Sequence, residues 1–169
     1  IAAHDLAPAV EPSLPTTALP AVCQALTDLA DTTLQAGLAV AAAELPAACM
    51  PARLAVIAMG KTGAKELNYL SDVDVIFVAD HPPDAPDGDE GRMLATATQL
   101  ASSLMRICGS AAWEVDAALR PEGKAGALVR TPTGLESYYK RWAHTWEFQA
   151  LLKARPAAGD PDLGQRFLD

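Results

Sequence analysis

Hydrophobic positions recur along this chain with two periods. Val22, Leu26, Leu29, Leu34, Leu38, Ala41 and Leu45 return at helical spacing. They predict a helix that starts near Pro20, where proline is tolerated in a first turn, and is stopped by Pro46. Residues 1–19 carry three prolines and no apolar period, so they read as an irregular arm or interdomain linker. Leu54 to Met59 is a continuous apolar run, as a strand buried on both faces requires. Asp72 to Ala79 is a second strand: Val73, Val75 and Phe77 face one way, and Asp72, Asp74, Ile76 and Val78 the other. Gly60 to Gly63 turns the chain between them, and Ala64 to Leu70 fits one or two helical turns. The short connection favours an antiparallel pair over a crossover.

Gly91 to Cys108 returns to the helical period, with Leu94, Ala97, Leu100, Ala101, Leu104 and Cys108 on one side and Gly109 placed to end it. Trp113 to Arg120 alternates again and sets Glu114, Asp116, Ala118 and Arg120 on one face. Pro121 to Leu128 is a flexible loop carrying Lys124. Thr131 or Thr133 caps a helix that holds Tyr138, Tyr139 and Trp142, read with Trp146 as core aromatics. That helix continues, or restarts near Thr145, as far as Arg155; Pro156 and Gly159 break it. The order implies an α+β fold around a small mixed sheet with flanking helices. Three segments follow: a linker and helix over 1–50, a core over 51–132, and the start of a helical region over 133–169. The abrupt start at Ile1 and stop at Asp169 suggest a piece excised from a longer protein.

Composition narrows the function classes. Half of the 169 residues are apolar, with only three each of Trp, Tyr and Phe, so alanine, leucine and valine supply the packing. A net charge of −8 argues against nonspecific binding to nucleic acid backbones, though not against a local phosphate pocket. No stretch has the length and apolarity of a membrane span. Cys23, Cys49 and Cys108 lie in apolar runs without metal-ligand spacing; they read as buried reduced thiols and favour a cytoplasmic setting. The acidic, proline-rich run from Asp80 to Glu90 reads as a solvated loop.

The chemistry concentrates between Gly60 and Arg120. Asp72 and Asp74 share a strand face with α-carbons roughly 7 Å apart, and Asp116 opens a further strand. Three carboxylates suit hard divalent cations, and two such ions can support an in-line displacement at phosphorus. A D-x-D pair is also what solvated acids on an edge strand present, but a long apolar continuation is unusual for such an edge. The turn MGKTG lets backbone approach a phosphate, although it lacks the Walker A spacing. Arg120 is either the salt-bridge partner of Asp116 or a phosphate clamp. Lys124 lies on the adjoining loop, and Lys153 and Arg155 read as helix-surface charges. His4, His81 and His144 are scattered, and Ser102 and Ser103 have no base partner in view, so nucleophilic catalysis has no support.

Three runs of this sequence, AMGKTGAKELNYLSDVDVIFV, VDAALRPEGKAGALVRT and YYKRWAHTWEFQALLKARPAAGD, resemble the bifunctional glutamine synthetase adenylyltransferase/adenylyl-removing enzymes. The resemblance covers about residues 51–160. It implies a DNA polymerase β-like nucleotidyltransferase fold. In that family one copy transfers AMP from ATP to a tyrosine of glutamine synthetase; the other removes it by phosphorolysis, releasing ADP. The resemblance implies Gly60 and Lys61 as the phosphate turn, Asp72, Asp74 and Asp116 as catalytic ligands for magnesium (two ions), and Arg120 and Lys124 as charge stabilisers. The runs ELNYLSDVD and WEFQALLKARP look closest to the N-terminal, adenylyl-removing copy of actinobacterial members. Many members carry arginine where Ala118 stands, which leaves the role of that arginine unfilled. The implied partners are glutamine synthetase and a nitrogen-signalling regulatory protein. A non-catalytic module that recognises glutamine synthetase is the alternative from another class, and a nucleotidyltransferase with a different substrate is a third.

Overall fold

The computed structural model describes residues 15–84 and 88–169. Helix α1 (Pro15–Ala43) contains Pro20 within its body. It therefore begins earlier than the hydrophobic period alone predicts, and residues 15–19 are helix, not linker. The expected arm over residues 1–14 lies outside the described residues. Strand β1 (Arg53–Ala58) leads through a single helical turn, α2 (Gly60–Gly63), toward β2 (Val73–Asp80). The helical turn thus coincides with the glycine turn itself, and Ala64 to Leu70 is not helical. Strands β1 and β2 pair antiparallel, Arg53 opposite Asp80 and Ala58 opposite Val75, as their close spacing predicts.

Helix α3 (Glu90–Ala111) is capped by Asp89, whose side chain accepts the Arg92 N–H. It runs past Gly109 to Ala111, where the Ala112 and Trp113 N–H groups both turn back onto the Cys108 carbonyl. Strand β3 is only Val115–Asp116, and β4 is Val129–Arg130. Both pair parallel with β2, β3 at Val73 and Asp74 and β4 at Phe77 and Val78. They are two pieces along one edge of β2, and the loop carrying Arg120 and Lys124 bulges out between them. Helix α4 (Pro132–Arg141) is capped by the Thr131 hydroxyl accepting the Gly134 N–H. Helix α5 (Thr145–Leu151) ends well short of Arg155.

Arg155–Gly159, expected as a helix end and breaker, forms strand β5 along the free edge of β1, and α6 (Pro161–Leu168) follows. The segment RPAAG has no alternation to announce a strand. Pro156 is admitted because β5 is an edge strand and the register shifts between Val56 and Ile57. Gly159, at φ 81°, lies so close to the Leu54 carbonyl that a Cβ would stand 2.1 Å away.

The sheet order is β3-β2-β1-β5, with β4 also on β2. Leu54, Val56, Val73, Val75 and Phe77 face a layer formed by α1 and α3. Ala55, Ile57, Ile76 and Val78 face Leu135 of α4 and Leu163 of α6. The alternation read along β2 is therefore the division between two cores, and the α+β architecture with a small mixed sheet holds. The sheet draws on residues from each of the last two sequence segments, while α1 from the first covers it.

Two packing expectations fail. Trp142 and Trp146 are 70% and 51% exposed, because α4 ends at Arg141 and α5 buries Glu147 instead. Only Cys108 among the three free cysteines is buried; Cys23 and Cys49 are half-buried.

Candidate active site

The chain leaves β1 through Met59 and turns at Gly60, whose φ of 51° favours glycine. A Cβ there would lie 2.5 Å from Asp74 Oδ2, so no other residue allows the turn to approach that carboxylate as closely. At Gly63 a Cβ would meet the Lys153 carbonyl at 2.1 Å and the Ala58 carbonyl at 2.8 Å. The turn closes through Gly63 N–H on the Met59 carbonyl at 2.7 Å and Ala64 N–H on the Gly60 carbonyl at 3.1 Å. Thr62 is wholly buried, and its hydroxyl has no partner among the described residues.

Lys61 points away from this packing, toward solvent. Its Nζ donates to Ser71 Oγ at 3.0 Å, and that hydroxyl donates to Asn68 Oδ1 at 2.8 Å. The lysine thereby ties the glycine turn to the loop that leads into Asp72.

The acids gather where β2 begins. Asp72 is exposed and immediately precedes the strand, one residue outside its expected place within it. Asp74 is opposite Asp116 in the parallel β2–β3 register, so the two neighbour each other across strands spaced about 4.8 Å apart. Burial pushes the Asp74 carboxyl above its ordinary range, the charges of Asp72 and Asp116 push it further, and Lys61 opposes them. Asp116 Oδ1 accepts the Ala118 N–H at 2.7 Å. Among the described residues no three His, Cys, Asp or Glu side chains form a ready-made metal-holding group; the three aspartates are near one another without converging. Their chemistry nonetheless fits a hard cation. All three are carboxylates, and Asp74, raised first by burial and then by the charges of Asp72 and Asp116, is a group whose charged form a cation would favour.

The expected strand through Arg120 does not form, because β3 ends at Asp116 and the chain turns at once. Arg120 does not pair with Asp116. Its guanidinium donates to the carbonyls of Ala117 at 2.8 Å, Lys124 at 3.1 Å and Gly126 at 3.2 Å, which fastens the loop 117–126 to itself. Lys124 stays exposed and lines a cleft of about 550 Å³ together with Asp116 and Arg120. A second cleft of about 450 Å³ is lined by Tyr69, Ser71 and Asp72. Glu114 borders both clefts. It was legible as sharing the alternating face of Asp116 but was not singled out. Neither Lys153 nor Arg155 is a helix-surface charge: Lys153 pairs with Glu66 at 3.0 Å, and Arg155 with Asp31 of α1 at 2.7 Å.

The arrangement offers a carboxylate group beside a glycine turn and a lysine, bordered by clefts. Such groups can act on a phosphorus centre when a divalent cation joins them. Comparison with known sequences points the same way. The family model for glutamate-ammonia ligase adenylyltransferase matches residues 3–169. The chain is 57% identical over 171 residues to the bifunctional glutamine synthetase adenylyltransferase/adenylyl-removing enzyme of Mycolicibacterium smegmatis, covering 100% of this chain and 16% of that one. The enzyme of the same description from Nocardia farcinica is 57% identical over 173 residues, again covering 100% and 16%. That from Streptomyces coelicolor is 56% identical over 148 residues, covering 85% and 15%. The chain thus spans about 16% of the length of the relatives it matches.

Proposed function

Since the chain belongs to the glutamate-ammonia ligase adenylyltransferase family, we propose that it carries an adenylyl-transfer site acting on glutamine synthetase, running in the removing direction. An oxygen of inorganic phosphate attacks the phosphorus of adenylyl-tyrosine. The bond from phosphorus to the tyrosine oxygen breaks, that oxygen takes up a proton, and ADP leaves with unmodified glutamine synthetase. The observation that carries the reading is the register placing Asp74 beside Asp116, with Gly60 admitting the turn against Asp74.

Asp72, Asp74 and Asp116 would hold magnesium, two ions by the family pattern, which when bound supplies charge stabilisation at phosphorus. Gly60 brings backbone close to the phosphate oxygens, and Lys61 adds a positive charge on the same side. Lys124 and Arg120 are the cations of the cleft that Asp116 lines, and either would stabilise charge there. The removing direction is supported by the likeness of ELNYLSDVD and WEFQALLKARP to that copy. The transfer of AMP from ATP would use the same kind of displacement at an adenylyl phosphorus, with the tyrosine oxygen attacking and pyrophosphate leaving. Glutamine synthetase is the protein substrate, a nitrogen-signalling protein the proposed regulator, and the cytoplasm the setting. Among the described residues no helix is long and apolar enough to cross a membrane.

The test supplies the whole polypeptide with adenylylated glutamine synthetase and phosphate, or with unmodified glutamine synthetase and ATP. Phosphate-dependent, magnesium-dependent ADP release is expected in the first arm. AMP incorporation in the second arm alone reverses the direction. Asp72→Asn/Asp74→Asn protein that still releases ADP at the wild-type rate overturns the site.

A further inference from the structure

The sequence run WEFQALLKARP stands apart from the reacting groups, yet its last residues lie against the phosphate turn. Arg155 opens β5, paired with Ala58 at the end of β1. Its guanidinium forks Asp31 of α1, Nη1 to Oδ2 at 2.7 Å and Nη2 to Oδ1 at 2.9 Å. Nη2 also donates to the Thr62 carbonyl at 2.9 Å, and Nη1 to the Pro156 carbonyl at 3.4 Å. The remaining donor, Nε, is buried without a partner among the described residues. The side chains of the pair are 19% and 23% exposed.

A guanidinium engaged in this way is not a phosphate ligand. It holds the carbonyl of the residue next to Lys61 in the middle of the turn. Two further contacts come from the same short segment. The Lys153 carbonyl fills the space where a side chain on Gly63 would be, and Lys153 Nζ pairs with Glu66 Oε2 at 3.0 Å. The segment 153–155 therefore forms a strap across the turn, anchored through Asp31 to the long helix α1.

We infer that Arg155 is a positioning residue: braced by Asp31, it fixes the Thr62 carbonyl and thereby sets the Gly60–Gly63 turn for phosphate oxygens. The inference rests on the adenylyl-transfer reading for its substrate, but not for its structural half. An arginine is needed because one planar group must fork a carboxylate and reach a carbonyl together. Lysine can make one of these contacts at a time.

The test uses the whole polypeptide with Arg155→Gln, Arg155→Lys, Asp31→Asn and the Arg155→Gln/Asp31→Asn pair. Arg155→Gln is expected to raise KM for inorganic phosphate about tenfold while kcat falls less than about threefold, since the turn binds phosphate and is displaced without being destroyed. Hydrogen exchange at the Gly63 and Ala64 amides is expected to quicken, with the β1–β2 amides still protected. Arg155→Lys recovers part of the loss. Asp31→Asn gives a smaller effect of the same sign, and the double variant matches Arg155→Gln alone. Unchanged exchange at Gly63 and Ala64 in Arg155→Gln overturns the inference, as does a loss of kcat at unchanged KM. If Asp74→Asn keeps wild-type ADP release, the adenylyl-transfer reading falls while the exchange data still decide whether Arg155 holds the turn.

Discussion

Asp74 and Asp160 are two partly buried aspartates at the sheet whose carboxyls are displaced in opposite directions. At Asp160 the hydrogen bond from Arg53 holds the carboxyl down, to about 2, and the backbone N–H of Leu163 helps. The same side chain caps α6 and takes two bonds from Arg53, at 2.6 and 2.7 Å. Asp74 is given burial and two acidic neighbours instead, with Lys61 in opposition. One aspartate is completed by the fold and stabilises it. The other is left with an excess of negative charge that an incoming cation would satisfy. The contrast separates structural acids from the candidate site without reference to any relative.

The contrast is broken most severely at Asp74. Asp74→Asn is expected to lower turnover about a thousandfold, as removal of a group acting on developing charge does. It should nevertheless raise the melting temperature of the metal-free protein at neutral pH. The sign follows from linkage. The folded-state pKa of Asp74 lies above its unfolded value, so its favourable contribution is present below the unfolded pKa. That contribution is lost as pH rises through the folded pKa. A lower melting temperature for Asp74→Asn in chelator would show that the acid is compensated after all.

Gly60→Ala ranks next. The new methyl meets Asp74 Oδ2 at a backbone φ of 51°, so turnover should fall about a hundredfold and stability by about 1–3 kcal/mol. Steady-state rates and chemical denaturation check both. Asp160→Ala should cost about 1–2 kcal/mol, from the lost cap and a partly exposed ion pair. Its KM and kcat should stay within about twofold of wild type. The smallest effect is in pH. The Asp160 contribution is present above its unfolded pKa and fades as pH falls toward about 2. Melts of Asp160→Asn against wild type should therefore begin to converge below about pH 4, the ordinary aspartate range, and meet near about pH 2.

What the sequence reveals depends on whether a feature is periodic. The alternation of β2 assigned Val75 and Phe77 to one core and Ile76 and Val78 to the other, as found. The antiparallel pairing was equally local and legible, and the helix cap was legible to within Thr131 or Thr133, of which Thr131 is the one formed. Asp116 was legible as a third acid, though its exact register with Asp74 was not. Strand β5 was hidden because RPAAG earns its place through pairing with β1, not through its own propensity. The strand expected through Arg120 fails because alternation was extended past a strand of two residues. The three carbonyl acceptors of Arg120 are set by a loop that no period describes. The clamp of Arg155 on Asp31 joins residues far apart in sequence, and neither residue signals the other.

Strand β5 also sets an order of events during synthesis. The hairpin of β1 and β2, preceded by Asp72 and holding Asp74, is complete at Asp80, but Arg155 can pair with Ala58 only after about 75 further residues have been made. At about 5–20 residues per second that interval lasts roughly four to fifteen seconds. A nascent chain in that window holds Asp72 and Asp74, and later Asp116, without the strap on their turn. The site is thus assembled late by the ribosome's own clock, and a chain halted before β5 would display its acids with no braced glycine turn beside them.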